Sequence, residues 1–122
     1  MISSQELAIE ILALLKSGMV DISLERFPAG VWGGHDFDDD GDDNFVSIAI
    51  NHRLCFESKI RVLIHESIHL LRHRRNEKWV RAKEDEIYAL LTKAQRKTLE
   101  KIVKKLEAQK QPKRKASRSP RE

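Results

Sequence analysis

A change of apolar period near residue 57 restricts the fold more than any other feature of this chain. Before it, Val20, Ile22 and Leu24 alternate with Asp21, Ser23 and Glu25, and Val46, Ile48 and Ile50 alternate with Ser47, Ala49 and Asn51. A period of two belongs to a strand with one buried face. After it, Ile60, Ile64, Ile68 and Leu71 recur every three to four residues, on one face of a helix expected from about Glu57 to His73. Strands early and helices late predict an α+β domain, with helices packed on a small sheet that we expect to be antiparallel.

Local signals place the other elements. Ser3 and Glu6 form a capping-box pattern that opens a helix over about residues 4 to 17, with Gly18 as its stop. The Pro/Gly-rich stretch Phe27 to Gly34 and the acidic run Asp36 to Asp43 read as loop, with a short strand around Val31 and Trp32. Arg74, Arg75 and Asn76 make a polar break, after which Trp79, Val80, Ile87, Leu90 and Leu91 mark a further helix. Thr92 and Gln95 repeat the capping pattern and open a last helix striped by Leu99, Ile102, Val103 and Leu106. The expected organisation is one domain over residues 1–108 and a disordered basic tail over 109–122, because the tail has almost nothing to bury.

Composition narrows the partners. A chain of 122 residues, 40% hydrophobic, can bury one modest core and not two. No run approaches the roughly 18 apolar residues of a membrane span, and Glu6 and Glu10 interrupt the N-terminal apolar run, so we expect a soluble, cytoplasmic protein with no membrane partner. The net charge of +4 is unevenly divided: residues 93–122 carry twelve basic against three acidic residues, and residues 1–92 carry eleven against sixteen. The folded part is therefore acidic. The tail, Lys110 to Arg121, has no aromatic residue to stack on bases, and any nucleic acid it binds would be held weakly, through phosphates. The single Cys55 can form neither an internal disulfide nor a Cys-rich metal site, so a metal must be held by His and carboxylates.

Such a site is present in outline. His65-Glu66-Ser67-Ile68-His69 is HExxH in mid-helix. Two His at i and i+4 rise from one helical face and can share one Zn²⁺, while Glu66 stands beside them to take a proton from a zinc-activated water. With five His in the chain, HExxH arises by chance in about 2% of such sequences, and its uncharged flanks, Val62 to Ile64 and Leu70 to Leu71, set it apart from a solvated helix. Catalytic zinc takes a third protein ligand. Positions 72 and 75 are both Arg, which excludes the HExxHxxGxxH pattern. Glu84, Asp85 and Glu86 on the following helix remain. With Trp79 at zero, Glu84 falls at about 140° and Glu86 at about 340°, the two flanks of the apolar face, and Asp85 at about 240° points to solvent. Glu86, with Ala82 and Ala89 as small neighbours, is favoured over Glu84.

Val62 through Leu71, with an acidic residue on the next helix, resembles the gluzincin branch of zinc metallopeptidases in minimal form. The run from His65 to His73 is similar to ImmA/IrrE-type domains and to small HExxH proteins of phage and bacteria. The resemblance spans about residues 45 to 91, and Val62 to Leu71 is its specific part. It implies a helix following a small sheet, zinc held by His65, His69 and Glu86 or Glu84, Glu66 as the catalytic base, and a protein or peptide substrate. The chain departs from ImmA/IrrE domains in lacking Asn-x-Phe-Ala after either Glu.

Three further features have weaker patterns. His73 lies at the expected end of the motif helix. His52 and Tyr88 are candidate donors to a reaction oxyanion by residue type alone. Asp36-Phe37-Asp38-Asp39-Asp40-Gly41 opens like a Ca²⁺ loop, but its twelfth position is Ser47 instead of Glu, and an acidic surface turn is the expected reading.

Overall fold

The computed structural model describes residues 3–37 and 46–109. The acidic run beyond Phe37 and the basic tail Lys110 to Arg121 lie outside the described residues. The order of elements is α1 (Ser4–Lys16), β1 (Val20–Glu25), β2 (Gly33–Phe37), β3 (Val46–Asn51), α2 (Phe56–Leu71), α3 (Glu77–Leu90) and α4 (Lys93–Glu107), an α+β architecture.

Both capping boxes form: Ser3 exchanges hydrogen bonds with Glu6, and Thr92 with Gln95. After α1 the chain turns at Gly18, whose φ of +80° is the left-handed conformation that glycine adopts without steric cost. α3 begins two residues before Trp79 because Asn76 caps it, its Oδ1 accepting from the Trp79 amide at 2.8 Å.

The sheet is mixed, a correction to the antiparallel expectation. β3 lies in the centre: it runs parallel to β1, with Val20 opposite Val46 and Leu24 opposite Ile50, and antiparallel to β2, with His35 opposite Ile48. Alternation sets which side chains face the core; it carries no information about a neighbour's direction. Ser47 to Asn51 are all buried, as suits a central strand. The strand expected around Val31 and Trp32 starts instead at Gly33. Asn51 holds the lead-in, its side-chain amide donating to Val31 O and its backbone amide to Trp32 O, both at 2.7 Å. Pairing with β3 thus outweighs the poor strand propensity of Gly33 and Gly34.

α2 organises the core. Ile60, Leu63, Ile64 and Ile68 are completely buried against Leu7 and Ile11 of α1, Ile48 and Ile50 of β3, Ile87 of α3 and Leu99 of α4. Each such side chain contributes about 1.5–3 kcal/mol by leaving water. α3 lies against α1 as well as α2. α4 buries Leu99, Val103 and Leu106, and Glu107 near its end accepts from the buried Lys59 of α2 at 2.7 Å. Among the described residues no helix is long and apolar enough to cross a membrane.

Candidate metal centre

The face of α2 opposite its apolar stripe carries His65, Glu66 and His69 in the last two turns of the helix, between β2 on one side and the start of α3 on the other. His65 and His69 are one turn apart, with ring centroids separated by 4.9 Å. His65 Nε2 lies 3.0 Å from Glu77 Oε2, and His69 Nε2 lies 2.9 Å from Glu77 Oε1. Ligand atoms of His65, His69 and Glu77 all fall within 4.8 Å of one another. Three donors at ~2.05 Å around a tetrahedral ion are about 3.3 Å apart, so these side chains would have to draw closer together to share one ion. Two imidazoles and a carboxylate suit Zn²⁺ by donor type.

The third donor in this arrangement is Glu77, and neither Glu84 nor Glu86 occupies that place. α2 and α3 run antiparallel, so the end of α2 meets the beginning of α3: His69 meets Glu77, Arg61 meets Glu84, and Glu57 meets Tyr88. At 1.5 Å per residue, Glu84 is about 10 Å farther along α3 than Glu77. The signal in the sequence was Asn76, a strong N-cap residue, which sets the helix start at Glu77 and brings a carboxylate into the first turn.

Glu84 instead supports the site from behind. Its Oε1 accepts from His65 Nδ1 at 2.9 Å and its Oε2 from Arg61 Nε at 2.7 Å, while Arg61 also donates to Asp85. A carboxylate on Nδ1 orients the His65 ring with Nε2 toward Glu77, and a neutral imidazole held in this way would offer Nε2 to a metal. Burial pushes the His65 pKa down. The Glu84 hydrogen bond and the charges of Glu77, Glu66 and Glu84 outweigh it, so the net shift is upward. Burial would raise the Glu77 pKa. Arg81, His65 and His69 reverse that, and it lies below the ordinary carboxylate value.

Glu86 lies on the opposite flank of α3, facing α1. It accepts from Ser4 Oγ at 2.5 Å and from Lys83 Nζ at 3.3 Å. The helical wheel located both flanks of the apolar face. It did not say that α3 is shared by two helices, so that one flank serves α2 and the other α1.

The β2 side adds His35, which sequence reading placed in no role. Its Nδ1 is 2.6 Å from Glu66 Oε1, and its ring stacks on His69 at 5.2 Å between centroids with 17° between planes. The two donors considered by type have other surroundings. Tyr88 donates to Glu57 and accepts from Arg96 on the α4 side of the molecule. His52 lies beyond the end of β3, where burial and then the charges of Arg26, Arg53 and Lys59 hold its pKa below the ordinary value. His73 is exposed in the turn after α2.

The chain matches no protein-family model, no curated protein and no solved structure.

Proposed function

We propose that this protein is a zinc-dependent metallopeptidase of the HExxH type. The observation that carries the reading is the convergence of His65 Nε2 and His69 Nε2 on the carboxylate of Glu77, with the buried Glu66 beside them. His65, His69 and Glu77 would hold the ion. A zinc ion in such a set acts as a Lewis acid and makes a water molecule acidic near neutral pH.

The chain's own groups supply the remaining chemistry. Glu66 takes a proton from the attacking water and delivers it to the amine that leaves when the peptide C–N bond breaks, so the carboxylate ends as it began. Its Oε1 is engaged by His35, which leaves Oε2 as the proton carrier. Glu84 would hold the His65 ring with Nε2 toward the ion. Three protein donors, one of them on a Glu77 side chain that is 50% exposed, favour a site with an open position over a closed structural one, and this supports an enzyme over a metal-stabilised scaffold.

The test is metal content and turnover together. Protein purified without added metal is expected to hold about one zinc per chain, and to cleave members of a random peptide library with activity removed by a chelator and restored by zinc. Metal-free protein that neither takes up zinc nor gains thermal stability on titration would overturn the proposal.

A further inference from the structure

β2 and α2 run side by side in the same direction, and their repeats match. Two residues of strand advance about 6.6 Å and four residues of helix about 6.0 Å. The step from Gly33 to His35 therefore keeps pace with the step from Val62 to Glu66. A Cβ on Gly33 would lie 2.6 Å from Val62 Cγ1 and 2.6 Å from Ala49 O. Only a residue without a side chain lets the strand lie this close to the helix, and His35, two residues on, points to the same face. It there meets Glu66 at 2.6 Å and lies flat against His69.

We infer that His35 is the positioning residue of Glu66: its Nδ1–H holds one carboxylate oxygen against the edge strand, so that Glu66 keeps a single orientation beside the metal ligands and stays off the metal itself. This rests on the metal site proposed above. The physical reason is competition. A glutamate has three side-chain torsions and two strong donor oxygens, and it lies one residue from His65. Unrestrained, its carboxylate can swing to a bound cation and fill the open position. A hydrogen bond at 2.6 Å to an imidazole removes that freedom from the side facing away from α3, while the ring stacked on His69 fixes the donor in turn.

Two variants separate the bond from the stack. His35→Phe keeps a ring on His69 and loses the donor. His35→Asn keeps a donor near the place of Nδ1 and loses the ring. The first readout needs no turnover: in long-range proton–nitrogen spectra of metal-free protein, the His35 Nδ1 resonance is expected to report a protonated, hydrogen-bonded nitrogen and to shift on Glu66→Gln. An Nδ1 signal indifferent to Glu66→Gln overturns the inference. The second uses Co²⁺ in place of zinc. His35→Phe is expected to bind Co²⁺ within about threefold of wild type but with a weaker visible absorption, the mark of an added ligand, and His35→Asn is expected to restore the wild-type spectrum. Equal spectra for all three proteins overturn the inference, as does a loss of Co²⁺ affinity in both variants, which would make His35 a ligand or a structural residue. On a peptide that the wild type cleaves, His35→Phe should lower kcat about 10–100-fold with KM little changed, and His35→Asn should recover most of it. Failure of the peptidase reading is recognised separately, as intact His35 coupling and Co²⁺ binding without cleavage of any peptide.

Discussion

The two sides of α2 use the same two residue types in opposite roles. Toward α3, carboxylates hold imidazoles: Glu84 fixes His65, and Glu77 draws the two Nε2 atoms together. Toward β2, an imidazole holds a carboxylate, His35 on Glu66. The groups that would bind a cation are thus oriented from one side and the group that would move a proton from the other. The separation follows from geometry, because residues 65 and 66 diverge by about 100° on the helix and need different neighbours.

The largest effect is expected on the proton-transfer side. Glu66→Gln is expected to keep zinc affinity within a few-fold while lowering peptide hydrolysis by about 10²–10⁴, measured by paired metal titration and turnover. Activity near wild type would remove Glu66 from its role. On the α3 side the expected order is a gradient in zinc affinity, read by competition with a chromophoric chelator. Glu77→Ala should fall furthest, by more than about 100-fold, and Glu84→Ala should lose about 10–100-fold, the range for a group that orients a ligand. Glu86→Ala should stay close to wild type. A larger loss for Glu86 than for Glu77 would reverse the assignment made from the antiparallel register.

Smaller effects sharpen the packing that separates the two sides. Gly33→Ala places a methyl group against Ala49 O and Val62, and is expected to destabilise the metal-free protein by about 1–3 kcal/mol in denaturant unfolding. An unchanged midpoint would mean that β2 can withdraw from α2 at no cost. Smallest is the effect of pH on the α1 contact. Hydrogen bonds from Ser4 and Lys83 hold the Glu86 carboxyl below its ordinary pKa. Its stabilising contribution is therefore present above the unfolded-state value and lost as pH falls through the lowered one. Wild type should unfold slightly above Glu86→Gln at pH 7, and the difference should vanish in acid. A difference that grows in acid would contradict this sign.

Neither side was fully legible in the sequence, and the β2 side was the less so. HExxH announced His65, Glu66 and His69, since one helix positions all three without outside help. The carboxylate that joins them required the antiparallel register of α2 and α3 and the true start of α3. Asn76 signalled that start, but the apolar pattern, beginning at Trp79, concealed it. His35 could not have been found from spacing at all: it is thirty-one residues from Glu66, in a stretch that read as loop between glycines and aspartates.

By itself the sequence determined most of the element types and their ends, the apolar stripe of α2 and the two His with their Glu, because periodicity, caps and i, i+4 spacing are local properties of a chain. Only the tertiary structure decided that the sheet is mixed, that α3 faces two helices, that Glu77 meets both imidazoles while Glu84 meets His65 alone and Glu86 turns to α1, and that β2 carries His35 to Glu66. Each of these depends on the direction and register of neighbouring elements, which core packing sets and no single segment encodes.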